Sequence, residues 1–425
     1  MTTTSPGPVV SEPAAAPAPV PGRRLRLSLP VVLLGLAGAL VLVSLIRLVT
    51  GADDITSSGT TGAALRLAVP IGLAGLGGLW AERAGVVNIG LEGMMILGTW
   101  FGAWGAFQFG AWWGVLTGVL GGALGGLLHA LATVTFGVDH IVSGVAINIL
   151  GAGMTRYLSA LVFEGTPGGG VTQSPSLPPI GTVTVPGLSP WLHTVERKGW
   201  FAVSDVAGVL GGLVTQVSLF TLLAIALIPL SWWALWRTKF GLRVRSCGEN
   251  PHAAESLGVP VYRMKYLAVV ISGGCAGLGG AFLSEVATNI YREGQTNGRG
   301  FIGLAAMIFG NWRPGGLAAG AGLFGYADAL QLRSGGESVH ALLLLLVVLL
   351  AGVAVWNFLR GRRVAAVVTL VFAALVLLWF LGTDRVPDEF VGFAPHITTL
   401  LVLSLAAQRL RMPAADGLPY RRGEG

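Results

Sequence analysis

The run VSLFTLLAIALIPLSWWALW, residues 217–236, is followed by RTKFGLRVRSCGENPHAAESLGVPVYRMK, residues 237–265, and then by YLAVVISGGCAGLGGAFLSEVAT, residues 266–288. Each flanking apolar run has the roughly 20 residues that a helix needs to cross a bilayer. The insert between them carries six Arg and Lys against two Glu, which places it on the cytoplasmic side by the positive-inside rule. A small helix is written inside it. Asn250 is a good N-cap, Pro251 suits the first helical position, His252 to Leu257 provide about two turns, and Gly258 is placed to end them. A short capped helix on the basic side of a membrane protein is an element that a soluble partner can grip.

The rest of the chain repeats this pattern. Over 425 residues, 53% are hydrophobic, only 11% are charged, and 65 are glycine, an excess of apolar sequence that no soluble core of this size requires. The expected fold class is therefore all-α, a polytopic membrane protein with about 10–12 transmembrane helices. The formal charge of +7 sits in short loops beside the spans, which argues against nucleic-acid binding. The two cysteines, Cys247 and Cys275, form no metal-ligand or disulfide pattern. No Lys is followed by Ser or Thr, so a phosphate-cradling P-loop is absent. No His-Glu-x-x-His motif and no nucleophile with a neighbouring base is visible either. The chain is expected not to be an enzyme and to bind no cofactor or metal; any energy from ATP must arrive through another polypeptide.

Residues 1–26, rich in Pro, Ala and Thr, are expected to be a disordered cytoplasmic tail. Residues 27–62 add a first span and an external connector, and residues 63–410 hold the main transmembrane domain. Within that domain, 164–216 reads as an external loop with one interfacial helix near Trp200, 237–265 is the cytoplasmic insert, and 301–312 is too short to cross unaided. Separate spans are expected at 315–332, 339–358, 364–381 and 396–410, and residues 411–425 end inside.

Glycines recur every four residues at Gly114, Gly118, Gly122 and Gly126, and Gly273 and Gly277 mark a second such face, the pattern of close helix packing. The segment beginning at Ile89 echoes the one beginning at Ile302, entered from opposite sides, which would suit an inverted repeat around broken helices. Polar groups at membrane depth are the candidates for a solute path: Asn88, Glu92, Asn148, Asn311 and Asp328, with Glu285 as a further acidic residue. Structural roles compete with this reading; Glu92, for example, could pair with Arg83. Trp112, Trp113, Trp232 and Trp233 are read as interface anchors. An ion-coupled secondary transporter is the alternative from another class, and Glu285 and Asp328 would serve its ion site.

Four stretches carry a family resemblance: AERAGVVNIGLEGMM at 81–95, GENPHAAESLG at 248–258 with the following 272–280 segment, GRGFIGLAAMIFG at 298–310, and RMPAADGLPY at 411–420. Together they resemble ABC-transporter permeases of the simple-sugar and nucleoside group, over about residues 63–420, and the first and last are similar to the nucleoside-type branch. The resemblance implies an importer subunit that takes a nucleoside from an extracytoplasmic binding lipoprotein, pairs with a second permease, and is driven by a separate ATPase that holds ATP and magnesium. Ribose-like sugars or branched-chain amino acids are the alternative cargo. It also implies a multi-pass location in the cell membrane and makes Glu249, Asn250, Pro251, His252, Ala253, Ala254, Glu255, Leu257 and Gly258 the coupling element. Glu249, His252 and Glu255 are its expected polar contacts and Leu257 its apolar anchor. The first span and the 164–216 loop exceed the family's shorter pattern.

Overall fold

A computed structural model describes residues 29–387 and 410–423. Fourteen α-helices follow in order: α1 (Leu29–Thr50), α2 (Ser58–Arg83), α3 (Leu91–Phe109), α4 (Ala111–Ala130), α5 (His140–Val162), α6 (Leu188–Glu196), α7 (Val203–Val214), α8 (Leu219–Arg237), α9 (Lys239–Glu249), α10 (Pro251–Ser256), α11 (Val261–Phe282), α12 (Arg299–Phe309), α13 (Pro314–Leu359) and α14 (Arg363–Gly382). Among the described residues, seven segments are long and apolar enough to cross a membrane: 58–83, 111–135, 140–162, 219–237, 261–287, 335–359 and 363–382. The all-helical polytopic class is thus as the sequence indicates. The tail at 1–26 and the span at 396–410 lie outside the described residues.

Local chemistry starts the helices where the sequence allows. Ser57 accepts from the Thr60 amide to cap α2, Asp139 accepts from the Ile141 and Val142 amides to cap α5, and Ser218 caps α8 through Thr221. The helices then approach through glycine. A Cβ on Gly122 would lie 2.2 Å from the Gly273 carbonyl oxygen, and one on Gly277 would lie 2.3 Å from that of Gly118. The two glycine faces read from the sequence therefore pack on each other, joining α4 to α11. Gly98 of α3 closes the seam, since its Cβ would meet the Gly277 oxygen at 2.2 Å. Without a hydrophobic force between helices in lipid, such backbone proximity supplies the van der Waals contact. Helix α2 runs through the middle, buried continuously from Val69 to Glu82.

The structure adds detail to three stretches. Residues 164–216 hold two helices, α6 and α7, on either side of Trp200, and a small antiparallel pair, Thr182–Val183 with Val217–Ser218. This region grips the start of α2: Glu196 accepts from the Ser58 amide at 2.8 Å. It also holds α1, whose Arg47 lies 3.2 Å from the fully buried Asp205 of α7. The spans expected separately at 315–332 and 339–358 are the two helical halves of α13, set apart by a kink where Gly335 takes φ 52° and ψ −135°. The basic insert 237–265 holds α9 and α10, and α11 starts within it at Val261. Lys265 is consequently 3% exposed.

Candidate functional site: a presented helix and a broken span

At the end of the bundle that carries the basic insert, α10 forms as its sequence demands. The Asn250 side chain accepts from the Ala253 amide at 2.9 Å and Pro251 occupies the first turn. Gly258 ends the helix with φ 78°, and its amide reaches the Glu255 carbonyl at 2.8 Å. Pro251 and Ala254 face inward, while His252, Ala253, Ser256, Leu257 and Gly258 are exposed. Leu257 is 84% exposed with no apolar cover of its own.

The expected docking residues already have partners within the chain. Glu249 lies 3.9 Å from Arg83 and accepts from the Ala414 amide at 3.4 Å. Glu255 pairs with Arg422 at 3.1 Å, and the His252 ring sits 5.2 Å from that of Tyr420. Residues 411–422 therefore lie across the insert, an arrangement the sequence did not reveal. Beneath them is a buried polar cluster: Trp312 donates its Nε1–H to Glu82, Asp416 faces Glu82, and Lys265 donates to the Gly85 carbonyl at 3.4 Å. Burial first, and the neighbouring Glu82 second, push the Asp416 carboxyl up to about 9. Cys247 is buried and its thiol is pushed up to about 11, which makes it inert.

The second element is the break between α2 and α3. Residues 84–90 leave the helical path inside the bundle, so their backbone groups need side-chain partners. The Val87 amide donates to His140 at 3.2 Å and its carbonyl meets His129 Nε2 at 3.1 Å. Asn148 accepts from the Gly93 amide at 2.7 Å and donates to the Ile89 carbonyl at 3.2 Å. Asn88 donates to Ser272 at 2.9 Å. Glu92 does not pair with Arg83. Its two oxygens accept from the Gly298 amide at 2.9 Å and the Gly300 amide at 2.7 Å, so it caps the N-terminus of the 11-residue α12. A carboxylate there also meets the positive end of the helix dipole. The starts of α3 and α12, the two segments that echo each other in sequence, thus meet at one side chain.

The remaining path candidates lie around α12. Arg299 at its start lies 3.7 Å from Asp328 of α13. Asn311 at its end accepts from the Arg411 amide at 2.7 Å, and Asn311 and Trp312 take φ values of 54° and 52°. Glu285 is 1% exposed between Gly102 and Gly114, and no hydrogen-bond partner reaches its carboxyl oxygens. Among the described residues no group of three or more His, Cys, Asp or Glu could hold a metal ion.

A glycine-seamed helical bundle with broken spans and a capped helix presented at its basic end defines a membrane permease component. The chain belongs to the family described as "Branched-chain amino acid transport system / permease component", which matches residues 60–354. It is a multi-pass transport protein and not an enzyme. It is 34% identical over 370 residues to the guanosine ABC transporter permease protein NupQ of Bacillus subtilis, covering 85% of this chain and 96% of the relative. It is 32% identical over 361 residues to the nucleoside ABC transporter permease protein NupC of Lactococcus lactis, covering 83% and 93%. A putative glucose ABC transporter permease protein of Haloferax volcanii, TsgC13, is 34% identical over 283 residues, covering 65% and 78%. No solved structure matches the chain.

Proposed function

We propose that this chain is the membrane-spanning subunit of an ATP-driven importer and that its cargo is a nucleoside. Helix α10 is the coupling helix. The observation that carries this reading is Leu257, an aliphatic side chain held 84% exposed at the end of a rigid capped helix. Burying it in a partner's groove would contribute about 1.5–3 kcal/mol. An ATPase subunit supplies that groove together with ATP and magnesium, a second permease completes the membrane unit, and an extracytoplasmic lipoprotein delivers the solute. The complex sits in the cell membrane with both termini of this chain cytoplasmic. The names of the two relatives that span most of this chain support the nucleoside cargo.

Mechanically, ATP-driven closure of the partner subunits moves α10, and the bundle reorients around a central path. Of the proposed path residues, Asn148 holds the backbone of the break, Asn88 ties it to Ser272 of α11, Glu92 caps α12, and Asn311 and Asp328 hold the two ends of α12 in place. A simple sugar is the second reading, favoured by the similarity to the glucose permease. Glu285 stands apart from the Arg299–Asp328 pair, which weakens the ion-coupled alternative. The test is uptake of labelled guanosine, adenosine and uridine by cells with and without this chain, with ribose, glucose and leucine as competitors. Loss of nucleoside uptake on deletion, unaffected by those competitors, is expected. Unchanged nucleoside uptake in cells with no compensating system, with loss of sugar uptake, would shift the cargo to sugars.

A further inference from the structure

Residues 411–422 touch five separate elements within a dozen positions. The Arg411 amide donates to Asn311 at the end of α12. The Ala415 amide donates to the Gly248 carbonyl at 2.8 Å, just before the coupling helix, and the Ala414 amide reaches Glu249. Asp416 is buried against Glu82 at the end of α2, beside Lys265 of α11. Tyr420 then places its ring 5.2 Å from His252 of α10 and 5.5 Å from Tyr262 of α11, with Lys265 Nζ 5.9 Å from its centroid. Arg422 closes on Glu255 of α10.

The fit is close as well as extensive. Gly85 and Gly248 pass so near each other that a Cβ on Gly85 would lie 3.2 Å from the Gly248 Cα and 3.1 Å from the Ala415 carbonyl oxygen. Together with the α10–α11 turn, Tyr420 and Arg422 line a groove of about 310 Å³ next to Glu255 and Gly258. By itself α10 is six residues long and joined to its neighbours by turns. A helix that short, anchored inward only through Pro251 and Ala254, would tilt under load without moving the spans behind it. The segment that removes this freedom is the one that also holds Asn311, where two successive residues with positive φ join α12 to α13.

We propose that residues 411–422 form a transmission strap: they hold the coupling helix in register with the ends of α2 and α12, so that movement of α10 by the ATPase reaches the broken span as one rigid displacement. Tyr420 is its central positioning residue. This rests on the coupling role assigned to α10 above.

The test uses the complete complex of this chain, second permease, ATPase and binding protein in proteoliposomes. It reads three quantities: ATPase retained on purification, ATP hydrolysed, and labelled guanosine imported, with glucose as the cargo if guanosine is not carried. Removing the Tyr420 ring takes away two ring contacts and a cation contact, enough to lower the aligned population roughly tenfold. Tyr420→Ala is therefore expected to retain the ATPase and keep hydrolysing while solute imported per ATP falls about tenfold. Tyr420→Phe keeps the ring and restores the wild-type ratio. Arg422→Ala removes a side chain that is 81% exposed, so folding is unaffected, and gives a smaller fall in the same direction. Uptake and hydrolysis falling together in proportion, or an unaltered ratio in all three variants, overturns the strap. A wild-type complex that holds no ATPase overturns the functional reading itself, and the strap with it.

Discussion

Replacing Glu92 separates a structural acid from a solute-binding one. Its two oxygens satisfy the Gly298 and Gly300 amides, and the N-cap residue Gly298 has no side chain to take their place. Hydrogen bonds to a charged group contribute about 1.5–3 kcal/mol each, so Glu92→Ala is expected to cost at least about 3 kcal/mol of the packing of α12. That is about a hundredfold in the opening equilibrium of this segment. Glu92→Gln keeps one acceptor but turns an NH₂ group toward an amide N–H, so it should fall between Ala and wild type. The assay is the fraction of permease remaining monodisperse in detergent after heating, measured beside the KM for uptake in vesicles. Loss of heat resistance in the order Gln then Ala, with KM unchanged for the surviving protein, is the expected result. Wild-type heat resistance with a raised KM would refute the capping role and put Glu92 in contact with solute.

Other perturbations follow from the same geometry. Gly122→Val places a side chain where a Cβ already meets the Gly273 oxygen at 2.2 Å, and should abolish folded protein by size-exclusion chromatography; Gly153→Ala, with nothing within 4 Å, should be tolerated. Leu257→Asp should insert normally yet lose the co-purifying ATPase and at least about tenfold of the uptake, since docking would bury a charge; normal transport would remove α10 as the coupling helix. Arg47→Leu should strand the buried Asp205 carboxylate, costing about 3–5 kcal/mol, Asp205→Leu should cost less because Arg47 keeps Asp53 at 3.7 Å, and the double variant should cost less than the sum, read by protease sensitivity of the 164–216 region. Burial first, and Glu82 second, raise the Asp416 carboxyl from 3.8 to about 9 with Lys265 opposing, so docking of residues 411–422 is expected to take up a proton. Strap docking should therefore be strongest at low pH and weaken as pH rises between these values, and Asp416→Asn should flatten the profile of strap proteolysis.

Much of this was legible in order along the chain because local signals determine it. Asn250, Pro251 and Gly258 define α10 through capping chemistry that acts over a few residues, and the structure places cap, first turn and positive-φ stop where those residue types require them. The glycine faces of α4 and α11 were equally readable, since a four-residue period on a helix is a face whatever it packs against. The polar candidates were harder. Asn88, Glu92 and Asn148 were recognisable as expensive groups at membrane depth, but their partners are distant in sequence: Ser272, the Gly298 and Gly300 amides, and a backbone break 55 to 59 residues away.

The sequence alone therefore determined the class and the capped helix α10, because bilayer thickness and caps leave their mark on neighbouring residues. Only the tertiary structure decided that the break between the two halves of α13 falls at Gly335, that α6 and α7 hold α1 through Arg47 and Asp205, and that Asp416 and Tyr420 lie under and beside α10. These contacts join residues up to 334 positions apart, such as Glu82 and Asp416, and a carboxyl, a phenol ring or a glycine carries no local sign of which distant backbone will satisfy it.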